Sequence, residues 1–87
     1  MRNVAFTPKA LEDFVAWASE DRKIYAKIAD LLKDIQRNPF SGIGKPESLK
    51  HDLKGFWSRR INGEHRLVYE VRNENIIIHS YRFHYKK

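Results

Sequence analysis

The stretch FWSRRINGEHRLVYEV, Phe56 to Val71, decides the fold of this 87-residue chain. Its two runs, FWSRRI and EHRLVYEV, carry aromatic and β-branched residues that suit a pleated, half-buried surface. Asn62-Gly63 stands between them. Asn-Gly is a strong two-residue hairpin signal, because a type I′ turn needs positive φ at both central positions. An antiparallel hairpin turning at Asn62 and Gly63 is expected. Beyond it, RNEN turns the chain into IIIHSYRFHY, a third strand of similar composition.

Upstream the periodicity changes. NVAF, Asn3 to Phe6, reads as a short first strand, and Thr7-Pro8 as the cap and first position of a helix. Leu11, Phe14, Val15 and Ala18 recur at helical spacing and predict its apolar face, with Trp17 beside them. SEDRK interrupts the pattern, offering Ser19 and Asp21 as caps. A second helix then carries Ile24, Ile28, Leu31, Leu32 and Ile35 on one face and ends near Asn38-Pro39. FSGIGKPES, Phe40 to Ser48, has two glycines, a proline and no period, and reads as a loop. The predicted order is β-α-α-β-β-β, an α+β fold with a helical hairpin packed on one face of a mostly antiparallel twisted sheet.

At this length residues 1–87 form one domain, since two cores would each bury too little surface. The absence of cysteine excludes disulfides and thiolate metal sites. No apolar run approaches the roughly 20 residues needed to span a bilayer. The N-terminus lacks the apolar core of a signal peptide, so a cytoplasmic protein without a membrane role is expected. The net charge is +6. Residues 1–38 hold 7 Lys/Arg against 6 Asp/Glu, and residues 39–87 hold 10 against 5. The C-terminal half is thus the candidate surface for a polyanion.

Period two along the hairpin places His65, Leu67, Tyr69 and Val71 on one side and Arg66, Val68 and Glu70 on the other. The Leu/Tyr/Val side suits the core, which leaves Arg66 on the face away from the helices. Arg59 and Arg60 point to opposite faces, so at most one reaches the groove from a regular strand, and the other reads as an ordinary surface cation. His65 and His79 read as structural, and Phe56 and Trp57 as core or groove wall. Glu47, His51, His65, His79, His84, Tyr81 and Tyr85 could all move protons, and spacing does not choose among them. No His/Glu/Asp group has helical metal-ligand spacing, no glycine-rich turn opens a helix after a strand, and no serine has a G-x-S-x-G setting. Neither a metal nor another cofactor is expected. The remaining pattern suits RNA: aromatic rings for unpaired bases, cations for phosphates, and carboxylate and imidazole for proton transfer. An RNA strand brings its own nucleophile, the 2′-hydroxyl.

The blocks GKPE (Gly44–Glu47), GFWSRRI, EHRLVY and the tail RFHY, together with KIADLLKDIQRNPF, resemble the YoeB toxins of the RelE superfamily, ribosome-dependent mRNA endonucleases of bacterial toxin–antitoxin pairs. The resemblance runs through nearly the whole chain. It implies Glu47 as general base for the 2′-hydroxyl, His84 as general acid for the leaving 5′-oxygen, Arg66 for charge on the scissile phosphate and Tyr85 for positioning. Arg60 and Lys50 fit as further RNA contacts. The products it implies are a 2′,3′-cyclic phosphate and a 5′-hydroxyl. The partners it implies are mRNA in the ribosomal decoding site, the ribosome and a YefM-like antitoxin; a homodimer is compatible with it. Two features depart from the pattern: Lys86 and Lys87 extend the tail, and His79 interrupts the third strand. His84 and Tyr85, as neighbours on a regular strand, would face opposite ways, so both can meet substrate only past the strand end or at a bulge. The competing functions are a noncatalytic RNA- or partner-binding module and the gyrase poisoning known elsewhere in the superfamily. Neither needs Glu47, Arg66, His84 and Tyr85 together.

Overall fold

The computed structural model describes residues 1–50 and 55–83, excluding the side chains of 82 and 83. Strand β1 (Asn3–Phe6) leads into helices α1 (Pro8–Glu20) and α2 (Arg22–Arg37). Four strands follow: β2 (Glu47–Ser48), β3 (Phe56–Arg60), β4 (Arg66–Arg72) and β5 (Asn75–Phe83). They form one mixed sheet in the order β1-β5-β4-β3-β2. Among the described residues only the β1–β5 pair is parallel, because the chain crosses over through both helices and returns by hairpins to lie beside its own start.

The helices begin where the caps require. Thr7 accepts a hydrogen bond from the Ala10 amide at 3.1 Å, and Pro8 occupies the first turn. Asp21, in extended conformation, ends α1 and caps α2, accepting from the amides of Lys23 and Ile24 at 3.0 and 3.2 Å. One residue therefore makes the whole interhelical corner. Ile28, Leu31 and Ile35 of α2 and Ala10 and Trp17 of α1 close over Leu67 and Tyr69 of β4 and Ile76, Ile78 and Tyr81 of β5. Phe14 seats α1 on β5, with its ring centroid 5.7 Å from that of Tyr81. Each fully buried Leu or Ile of this cluster contributes about 1.5–3 kcal/mol of hydrophobic stabilisation.

Four local expectations are corrected. On α1 the inward face runs through Ala10, Asp13 and Trp17, whereas Leu11 and Val15 are 50% and 62% exposed. The face is set by where Trp17 fits between helix and sheet, and apolar spacing alone did not register the buried Asp13. The segment read as a loop contains β2, which pairs with Ser58 and Trp57 of β3 and so occupies part of that strand's outer edge.

The turn at Asn62-Gly63 is not a two-residue type I′ turn, since neither residue has positive φ. The amides of Ile61 and Asn62 both donate to the His65 carbonyl, at 3.0 and 3.3 Å. The Asn62 side chain accepts from the amides of Glu64 and His65, at 2.8 and 2.7 Å. A longer loop organised by one side chain results. The two-residue turn lies instead between β4 and β5, where Asn73 takes φ 49°.

The fourth correction concerns Arg59, which is no surface cation but fully buried.

Candidate active site

Glu47 and Arg66 meet on the sheet face opposite the helices. Strand pairing sets Glu47 beside Ser58, Ser58 beside Val68, and Arg60 beside Arg66, so all five share that face. Arg66 Nε donates to Ser58 Oγ at 3.0 Å, and its Nη2 lies 3.3 Å from Glu47 Oε1. The side chain of Arg66 is 22% exposed and that of Glu47 is 66% exposed. An exposed pair of this kind adds little stability. It does present a hydrogen-bond-accepting carboxylate and a fork of donors at one point on an accessible surface. Arg60 and Lys50 are exposed, with Arg60 in the register position across from Arg66.

Glu47 is the first residue of a two-residue strand paired with β3, and the loop that leads to that strand is anchored from behind. All five guanidinium N–H groups of Arg59 have acceptors. Nε donates to Tyr69 Oη at 3.2 Å, Nη1 to Asp34 Oδ2 and to the Ile43 carbonyl at 3.0 Å, and Nη2 to the carbonyls of Asn38 and, at 3.0 Å, Ser41. The Tyr69 hydroxyl donates in turn to the Pro39 carbonyl at 2.6 Å, and Asp34 Oδ2 also accepts from the Ile43 amide at 3.1 Å. A buried guanidinium is tolerated only when paired and fully hydrogen-bonded, and here the loop 38–43 supplies three of the five acceptors.

The glycines complete the fit. Gly42 has φ 128°, and a Cβ there would stand 2.0 Å from Asp34 Oδ2. Gly44 has φ 79°, and a Cβ would stand 2.8 Å from Leu31 Cδ2 and 3.1 Å from the Arg60 carbonyl. The Gly44 carbonyl accepts from the Arg60 amide at 2.7 Å, just ahead of Lys45, Pro46 and Glu47. The hydrogen bond from Arg59 holds the Asp34 carboxyl below its usual range against the opposing effect of burial. Burial pushes the Tyr69 hydroxyl up, more than Arg59 lowers it.

Other candidates separate clearly. Tyr81 lies in the core, where burial and then the charge of Asp13 push its hydroxyl up, so it is not on the Arg66 face. His65 is buried, its ring edge-on to Trp17 at 5.2 Å. Trp57 stands across from Tyr69 on the helix side and packs against Phe40 at 5.1 Å. His79 bonds Glu70 on the Arg66 face. His51, His84 and Tyr85 lie outside the described residues. Phe83, immediately before His84 in sequence, is the cross-strand partner of Arg66.

A family model for the YoeB-like toxin of bacterial type II toxin–antitoxin systems matches residues 6–85. The chain belongs to that family. The YoeB toxin of Mycobacterium bovis is 52% identical over 98% of this chain and 100% of its own. Among solved structures, the YoeB dimer of Staphylococcus aureus superposes with a TM-score of 0.90 at 50% identity, covering 97% of this chain and 98% of that one. The toxin in the heterotetrameric YoeB–YefM complex of S. aureus gives a TM-score of 0.87 at 50% identity, over 98% and 99%. As in those YoeB toxins, helices pack on one face of the sheet; Glu47 and Arg66 lie on the other. Sequence reasoning missed Arg59 and Asp34, although Arg59 is two residues from Trp57 on the same side of β3.

Proposed function

We propose that this toxin is a ribosome-dependent mRNA endoribonuclease acting in the cytoplasm, and that residues 1–87 work as one toxin domain. The observation that carries the reading is the contact between Glu47 and Arg66 on the accessible face of a YoeB-like fold. In the proposed reaction Glu47 takes the 2′-hydroxyl proton, and the 2′-oxygen attacks the adjacent phosphorus. Arg66 binds the oxygens on which charge accumulates. His84 protonates the departing 5′-oxygen, and Tyr85 positions the strand. The bond to the 5′-oxygen breaks as the 2′-oxygen bond forms, giving a 2′,3′-cyclic phosphate and a 5′-hydroxyl. No redox change and no added water enter this step.

Lys50 and Arg60 contact neighbouring phosphates in this reading. Attraction of the basic half to ribosomal RNA predicts binding that weakens steeply with salt. Because the S. aureus relative is seen as a dimer and in a heterotetramer with YefM, a YefM-like antitoxin and a toxin homodimer are proposed here too.

The test is incubation with ribosomes holding a defined message, beside the same message free, with the new ends mapped. Cleavage confined to ribosomes, with cyclic phosphate ends, is expected. Ribosome binding with the message intact would instead favour the noncatalytic binding module.

A further inference from the structure

Next to the Glu47–Arg66 pair lies a second group of side chains that the proposed chemistry leaves unused. Tyr69 pairs with Ile78 and Val68 with Ser80, so one step along β4 corresponds to two along β5. His79 is therefore the extra residue of a bulge, a device that re-aims a side chain. Its Nε2 lies 3.2 Å from Glu70 Oε1, and Glu70 Oε2 accepts from Arg72 Nε at 2.8 Å. The imidazole packs on Phe56 with ring centroids 4.7 Å apart, and Phe56 is the direct cross-strand neighbour of Glu70. The side chain of His79 remains 32% exposed.

The location gives this group a use. Arg66 reaches along the sheet to Ser58 and Glu47, so its guanidinium stands over the row of Glu47, Ser58 and Val68. The row of Phe56 and Glu70 is two residues further along β3 and β4, about 7 Å at the ordinary strand rise. A phosphate held at Arg66 would thus have a neighbouring base within reach of the His79–Phe56 surface. An ionised carboxylate only accepts, so His79 donates to Glu70 through Nε2 and its ring is held in place.

We propose that His79 and Phe56, oriented by Glu70, form a stacking platform for one unpaired RNA base beside the scissile phosphate. This deepens the ribonuclease reading and rests on it. His79 acts by positioning, through the base, and not by proton transfer at the reacting atoms. Aromatic platforms of this kind hold bases with little regard to sequence.

The experiment is single-turnover cleavage on programmed ribosomes, using messages with an abasic residue at each position of the decoding-site codon in turn. Wild type, His79→Ala and His79→Phe are compared, with thermal melts to confirm folding. For the wild type, one abasic position flanking the cut should raise the half-saturating toxin concentration roughly tenfold, in the range expected for one stacked base, with the limiting rate much less affected. His79→Ala should show a similar rise on the intact message and little further rise on that abasic one; His79→Phe should retain most of the wild-type value. Losses that multiply, or an unchanged His79→Ala, would overturn the platform while leaving the ribonuclease reading intact. Absence of wild-type cleavage on every message would overturn that reading, and the platform with it.

Discussion

Arg59 in β3 donates to Asp34 in α2, 25 residues earlier in the chain, from a fully buried position behind the loop that delivers Glu47. The candidate base is exposed, while the anchor of the loop that precedes it is buried and fully bonded. On the proposed reading of Glu47 as base, its placement and the stability of the fold share one arginine.

Removing Asp34 tests that sharing. Breaking a buried ion pair by deleting one partner typically costs about 3–5 kcal/mol, because a charge is left uncompensated. Asp34→Asn should fall at or below the lower end, since Asp34 is 25% exposed and three carbonyls still accept from Arg59. Urea unfolding checks the value; a change under about 0.5 kcal/mol, the range of ordinary surface substitutions, would count against the pair's importance.

The same pair sets an acid limit. The Asp34 carboxyl is held below its ordinary value of 3.8. A carboxylate depressed by folding stabilises the native state above its unfolded pKa and loses that contribution as pH falls through the folded one. The stability gap between wild type and Asp34→Asn should be full at pH 6–7 and should narrow below about pH 4. Denaturation series at both ends of that range measure it, and a gap independent of pH would contradict the assignment.

Gly44→Ala should disturb the site from outside it. With φ 79° and a Cβ 2.8 Å from Leu31, the substitution is strained and crowded. A loss of about 1–3 kcal/mol is expected, with slower cleavage as Glu47 shifts. Gly63→Ala is the control, because a Cβ there meets nothing within 4 Å. Equal melting temperatures for the two variants would refute the packing argument.

Arg66→Ala should leave stability nearly unchanged and lower the cleavage rate by about 10²–10³, the usual loss for one donor to a developing charge. Arg66→Lys should recover only part, since an ammonium lacks the planar fork. Single-turnover rates at saturating toxin decide this, and a wild-type rate for Arg66→Ala would remove the residue from the reaction.

Much of this architecture is legible in the sequence because its signals are local and redundant. Thr7-Pro8, the α2 periodicity and the β-rich runs each specify their element alone. The misreading at Asn62-Gly63 was consequential because register propagates. A two-residue turn would set Arg59 across from Arg66, on the same face; the longer loop sets Arg60 there and turns Arg59 inward. A slip of one residue exchanges the two faces of a strand. The Arg59 network escaped notice because its acceptors are mostly backbone carbonyls of the loop 38–43, which no sequence pattern displays. Glu47, by contrast, came from family resemblance, since a lone loop carboxylate has no distinguishing spacing.

The most direct test replaces the 2′-hydroxyl at the mapped cleavage position with hydrogen in an otherwise unchanged message on the ribosome. If Glu47 activates that hydroxyl, cleavage at the position should disappear while ribosome binding persists, and Glu47→Gln should lose most activity on the unmodified message. Cleavage that continues at the deoxy position would show that another nucleophile attacks, and would contradict the role given to Glu47.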